Sequence, residues 1–262
     1  MGSVKASHRV VVALVPLVTA LGCGSGNSNK ATEANGIAAK SAGEILDETA
    51  AALKSVRSVR MAGTQTLDRR KTAVRADLEP PSKIRFTFDQ AGAAASMVVA
   101  SGSLYVKANE AFWKKQGLGA PGSRLAGRWF KAPTSTSDFK DLTKQLDVAT
   151  LSRCLVKDHG SLSKGGTATV NGEPAVVLID KGDRPGAAPG KLYVAAKGDP
   201  LPLRILATGE QRPGRTKDPL CNSSGSRTHR GDTLTFSRYN ESFGIAPPEG
   251  ALAFTSPGQT TR

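Results

Sequence analysis

Gly166-Thr167-Ala168-Thr169-Val170-Asn171-Gly172-Glu173-Pro174-Ala175-Val176-Val177-Leu178-Ile179-Asp180 is the stretch that decides the fold class of this chain. Asn171-Gly172 is its strongest short-range hairpin signal, because the two central residues of a type I′ turn must take positive φ. Residues 166–170 and 175–180 are therefore strands that pair across it. Working outward, residues 191–196, 201–208 and 233–239 are extended, with Gly198-Asp199-Pro200 as a turn. Upstream the same period recurs: Ile84, Phe86 and Phe88 alternate with Arg85 and Thr87, which marks a strand with one buried face. Pro80-Pro81 ends a strand at 74–78, residues 96–100 and 104–107 flank the turn Ser101-Gly102-Ser103, and residues 127–131 carry Trp129 and Phe130 up to Pro133. The count is about ten strands, and their connections are too short for regular parallel crossovers, so the sheet is mostly antiparallel.

Two segments break the period of two. Ser41 followed by Glu44 has the spacing of a capping box. Behind it Ile45, Thr49, Ala52, Leu53 and Val56 share one face of a 3.6-residue repeat, predicting a helix over 42–58. Residues 136–156 return to that repeat through Phe139, Leu142, Leu146, Ala149 and Leu151, and carry Cys154 near the end. Strands in runs with helices set apart make an α+β protein, a large curved sheet with helices on one face.

The order of these pieces resembles the LolA-like lipoproteins, and among them the actinobacterial LppX/LprG type. The resemblance is carried by Ser103-Leu104-Tyr105-Val106-Lys107, Gly127-Arg128-Trp129-Phe130-Lys131, Thr169-Val170-Asn171-Gly172-Glu173-Pro174-Ala175, Lys191-Leu192-Tyr193-Val194-Ala195 and Leu201-Pro202-Leu203-Arg204-Ile205. It covers most of residues 42–248 and implies a half-open antiparallel β-barrel whose concave face is covered by helices. It further implies an apolar cavity that takes up acyl chains or lipidated cargo. The concave side should then carry Ile84, Phe86, Phe88, Met97, Val99, Leu104, Val106, Val176, Leu178, Leu192, Val194, Leu203, Ile205, Leu234 and Phe236. In any sheet–helix protein the same residues would be plain core packed to crystal-like density, so the pattern leaves open whether they line a void.

The start of the chain reads as an export signal. Lys5, His8 and Arg9 precede an apolar run over 10–21 that is too short to cross a bilayer. Ala20-Leu21-Gly22-Cys23 resembles the bacterial lipobox, which implies cleavage before Cys23 and lipid on its sulfur. Several acyl chains at one residue give stable anchoring. The expected organisation is a signal peptide at 1–22, a lipidated cysteine and Gly/Ser/Asn-rich tether at 23–41, and one domain at 42–262. About 17 tether residues give a reach of roughly 20–25 Å, which keeps the domain close to its membrane.

Over 262 residues the formal charge is +14, and removing Lys5 and Arg9 leaves +12. Outside the cytoplasm such a charge meets lipid head groups and wall polymers, with nucleic acid not expected as a partner. The basic loop containing Arg212, Arg215, Lys217, Arg227 and Arg230 either contacts anionic head groups or is a solvated insertion. Cys154 and Cys221 form an even pair in an exported chain, which reads as a disulfide. The competing reading adds His159 and His229 to make a zinc site, but those spacings are looser than usual ligand pairs, so neither metal nor cofactor is expected.

Catalysis has little support. Ser137 with Lys140 and Ser161 with Lys164 have S-x-x-K spacing, but no S-D-N or K-T-G motif accompanies them. The mature chain holds only His159 and His229 for general-base work. The function expected is a non-enzymatic lipoprotein, on the outer face of the cell membrane, that binds or moves a lipid, glycolipid or lipidated molecule. The alternatives are an envelope-sensing module docked on a membrane-protein partner, and a structural wall-associated lipoprotein.

Overall fold

The computed structural model describes residues 33–117, 119–134, 147–214, 221 and 228–253. Cys23 and most of the expected signal and tether lie outside the described residues. The capping box forms as the spacing predicts. Ser41 Oγ accepts the Glu44 N–H and the Glu44 carboxylate accepts the Ser41 N–H, starting α1 (Ala42–Lys54). The helix buries Ile45, Leu46, Thr49, Ala50 and Leu53. It stops at Ser55, earlier than the expected end, although Val56 remains in the core.

Residues before 42 also contact the sheet. Ile37 lies in a 3₁₀ turn (Ile37–Ala39), is 1% exposed, and packs with Ile45, Leu46, Val176 and Val194. Asn35 Nδ2 donates to the Ala195 and Gly198 carbonyls at 2.9 and 3.1 Å. A large apolar side chain and an amide that satisfies strand-end carbonyls are enough to hold this segment on the sheet.

A first meander contains β1 (Val59–Leu67), β2 (Arg70–Glu79), β3 (Lys83–Gln90), β4 (Ala93–Ala100) and β5 (Ser103–Ala108). Two short helices, α2 (Glu110–Lys115) and α3 (Gly119–Leu125), lead to β6 (Phe130–Pro133). After α4 (Val148–Lys157) a second meander follows: β7 (Leu162–Val170), β8 (Glu173–Asp180), β9 (Gly190–Ala195), β10 (Pro202–Ala207) and β11 (Thr233–Ser237). The chain then returns along the sheet to β12 (Leu252–Ala253). The twelve strands among the described residues form one sheet in the order β12-β6-β5-β4-β3-β2-β1-β11-β10-β9-β8-β7. Every pairing is antiparallel except β12 with β6. The fold is thus the α+β open sheet expected, with β1 and β12 added to the strands read from sequence. Asn171 and Gly172 take φ of 52° and 85°, as the I′ hairpin between β7 and β8 requires.

Of the helix expected over 136–156, α4 accounts for the end, and residues 135–146 lie outside the described residues. The expected strand at 127–131 starts later, because Gly127 turns the chain at φ 74° and pairing with β5 begins at Phe130.

Register places the apolar side chains in continuous rows, since directly paired residues project to the same face. One row runs Leu78, Ile84, Val99, Leu104 across β2 to β5. A second runs Leu234, Ile205, Leu192, Leu178 across β11 to β8. Both lie under α1 and α4. On the opposite face the chain after β11 crosses the first meander. Phe243, Ile245 and Ala251 pack on Val98, Ala100, Tyr105 and Trp129.

This strap is fixed by a charge cluster on the strands beneath it. Arg60 holds buried Asp77 through both carboxylate oxygens at 2.6 and 2.9 Å, and Arg75 and Arg85 stand 3.8 and 3.7 Å from the same group. Burial works to raise the Asp77 carboxyl, but the Arg60 hydrogen bonds and the three guanidinium charges outweigh it and hold it below the usual range. Arg60 and Arg238 in turn lie over the Phe243 ring, and Glu79 accepts the Phe243 N–H.

Candidate functional site: a cavity under the second meander

Between α1, α4 and the strands β8 to β11 lies a cavity of about 620 Å³. Leu46 from α1 and Leu151, Cys154 and Leu155 from α4 form one wall, facing Leu162, Leu178, Leu192, Ile205 and Leu234 on the sheet. The polar lining gathers at one end. Gln65 and Leu67 lie at the end of β1, Asp180 ends β8, Gly190 begins β9, Ala207 ends β10, Asp232 precedes β11 and Thr233 opens it. Antiparallel neighbours bring these termini together, and Asp158 and His159 at the end of α4 join them. The site is an apolar body with a polar rim, the arrangement usual for binding an organic ligand.

The fifteen residues expected on the concave side divide among different surroundings. Leu178, Leu192, Ile205 and Leu234 line the cavity. Ile84, Val99, Leu104 and Phe236 are buried in a core with Leu53, Val56 and Val148, and the partly buried Phe86, Met97 and Val106 pack against it. Val176 and Val194 belong to the core around Ile37 and Ile45. Phe88 joins an aromatic cluster with Phe112, Trp113 and Phe130, its ring centroid 5.5 Å from that of Phe112. Leu203 is displaced from the alternation by a bulge between Pro202 and Arg204, and Leu201 joins the core instead.

Cys154 and Cys221 are joined as a disulfide, with Cα atoms 5.4 Å apart, and both cysteines line the cavity. Asp158 offers an oxygen near the two sulfurs, but bonded sulfurs are not thiolate ligands. The two histidines considered for zinc find other partners: His159 Nδ1 meets the Gly160 carbonyl at 2.7 Å, and His229 Nδ1 meets Glu210 Oε2 at 2.6 Å.

Two carboxylates at the rim differ in charge balance. Burial raises the Asp180 carboxyl above its ordinary range despite N–H donors from Gly182 and Gly160 at 2.8 and 2.9 Å. Burial also acts on Asp232, but the His229 N–H, the Thr66 hydroxyl and Lys71 prevail and lower it. Asp232 thereby ties β11 to β1 and β2. Of the basic loop, Arg212 and Arg230 are exposed and stand outside the described cavity lining. Arg215, Lys217 and Arg227 lie outside the described residues.

Sequence reasoning missed the helix-borne wall at Leu46 and Leu155 and the whole rim. Leu46 stands next to Ile45, off the strip first recognised on α1. Gln65 was missed because β1 was.

The molecule is therefore a half-open barrel, one sheet curled over helices with a cavity under its second half, the layout that the LolA-like resemblance implies. Solved structures similar to it include the lipoprotein LppX of Mycobacterium tuberculosis, 15% identical, with 78% of this chain and 98% of that chain covered at a TM-score of 0.49. LprF from Mycobacterium bovis is 13% identical, with 79% and 96% covered at a TM-score of 0.48. No protein-family model and no curated protein matches the sequence.

Proposed function

We propose that this chain is a non-catalytic lipoprotein, anchored through Cys23 on the outer face of the cell membrane, that holds the acyl part of an envelope lipid, glycolipid or lipidated molecule. The observation that carries this reading is the leucine-walled cavity of about 620 Å³ between the helices and the second meander. Each methylene moved there from water contributes about 0.8 kcal/mol. The exposed Arg212 and Arg230 are available to an anionic membrane surface, where each such charge would contribute about 1 kcal/mol. A non-catalytic role is supported at Lys164, the lysine of one S-x-x-K tetrad. Its ammonium is engaged by the Ala38 and Lys40 carbonyls at 2.7 and 3.1 Å and pins the N-terminal segment to β7.

Native mass spectrometry of the full chain, produced in an actinobacterial host and purified without detergent, tests this reading. A bound lipid released on denaturation supports it. An empty protein that takes up nothing from envelope lipid extracts overturns it. Anchoring is tested separately, since Cys23→Ser should move the protein from the membrane fraction to the soluble one.

A further inference from the structure

We infer that the cavity accepts one acyl chain at a time, borne on a small, uncharged, hydroxyl-rich head group of the monoacylglycerol kind. This rests on the lipid-binding reading and narrows its ligand. The first ground is volume. At about 30 Å³ per methylene, close to a water's share of liquid volume, one chain of about sixteen carbons fills roughly 500 Å³ and two fill roughly 1,000 Å³. The cavity offers about 620 Å³, room for one chain and part of a head group. Its walls are strand and helix backbone carrying leucines, and packing of that kind does not double its volume without separating α4 from the sheet.

The second ground is the chemistry of the rim. Among the described lining residues Lys191 is the one lysine or arginine. Its cross-strand partners are Ile179 and Leu206, so its side chain belongs to the convex face, away from the row of Leu192. Asp180 and Asp232 remain at the rim, with Asp232 already compensated by Lys71 at 3.1 Å. Among the described residues, a phosphate or carboxylate placed there meets Asp180 with no lysine or arginine aimed at it. A glycerol or sugar hydroxyl instead donates to a carboxylate and exchanges hydrogen bonds with the Gln65 amide. The ligand's end at the rim is thus a donor of hydrogen bonds, and its tail runs inward between Leu155 and Leu192.

The test uses the full chain stripped of lipid on an apolar resin and offered 1-palmitoylglycerol, palmitate and 1,2-dipalmitoylglycerol at neutral pH, with occupancy read by native mass spectrometry. The expected result is one palmitoylglycerol per chain, bound at least tenfold more tightly than either of the others. Asp180→Asn should improve palmitate binding several-fold, and Leu192→Trp, which puts an indole in the path of the tail between Leu155 and Leu192, should weaken uptake at least tenfold while a cooperative urea transition shows that the fold is kept. Equal binding of dipalmitoylglycerol, two chains per protein, or equal binding of palmitate overturns the inference. If none of the three binds while envelope extract still loads the protein, the inference fails and the lipid-binding reading survives. If the extract does not load it either, both fail.

Discussion

The two meanders use one sequence pattern to opposite ends. In β2 to β5 the inward row Leu78, Ile84, Val99 and Leu104 meets Leu53, Val56 and Val148 and makes a filled core among the described residues, and the outer face is covered by the strap of Phe243 and Ile245. In β8 to β11 the inward row Leu178, Leu192, Ile205 and Leu234 is of the same size and alternation, yet it borders the cavity. Alternation states which side of a strand faces inward. Whether that side is filled depends on where the facing helix stands, and helix position is set by contacts distant in sequence. The cavity half is therefore expected to depend on a covalent tie and the filled half on packing, and four perturbations separate the two.

The largest effect belongs to the cavity half. Cys154 and Cys221 are 67 residues apart in sequence, and removing the link from a loop of that length costs about 4 kcal/mol in the chain-entropy account. Replacing both by serine should lower the urea midpoint by that equivalent and empty the cavity of any co-purified lipid. Unchanged stability would mean that the strands alone fix α4, and that the two halves do not differ in this way.

In the filled half the corresponding weak point is electrostatic. Asp77→Ala leaves Arg60 half-buried beneath Phe243 with its carboxylate partner gone, a change that costs about 3 kcal/mol when one member of a buried pair is deleted. Ligand occupancy of the folded fraction should not change, because Asp77 is remote from the cavity lining. Denaturant titration beside native mass spectrometry reads both quantities on one sample.

A matched pair of leucines sharpens the comparison further. Leu104 is 1% exposed within the filled core, so Leu104→Ala should cost about 3 kcal/mol through lost transfer energy and a new void. Leu192 already borders open space, so Leu192→Ala should cost about 1 kcal/mol, since no new void opens around it. Equal costs in equilibrium unfolding would show that the cavity closes in solution.

These contrasts also explain what could be read from the sequence. The second meander and its leucine row were legible because turn chemistry at Asn171-Gly172 and strict alternation agree. β1 was not, since its inward positions include Gly63 and Gln65, which erase the apolar period. Gly63 is required there: a Cβ on it would lie 2.0 Å from the Thr233 carbonyl of β11, so the joint between the two meanders depends on a residue without a side chain. α2 is six residues long, too short to show a helical repeat, and it is fixed by the Asn109 cap on the Phe112 N–H. The strap after β11 has no period at all, and its partners Glu79, Arg60 and Arg85 lie more than a hundred residues earlier. The rim was hidden for the same reason, being assembled from the ends of separate strands.

The smallest effect separates the halves by the sign of a pH dependence. Asp77, in the filled half, has its carboxyl lowered: burial opposes, and Arg60 with its neighbours prevails. Its stabilising contribution is complete above the unfolded-state pKa of about 3.9 and is lost as pH falls through the lower folded value. Asp180, at the cavity rim, has its carboxyl raised, chiefly by burial. The folded protein therefore binds that proton more readily than the unfolded chain does, and stability declines as pH rises from about 3.9 to the raised value. Wild-type stability should accordingly climb with pH below the ordinary aspartate range and sag just above it. Asp180→Asn keeps an oxygen to accept the Gly160 and Gly182 N–H groups but carries no charge, so it should remove the sag and leave the climb intact. Urea unfolding of both proteins from pH 3 to pH 7 measures this. If the sag persists in the variant, the rim of the cavity is not where that proton is held.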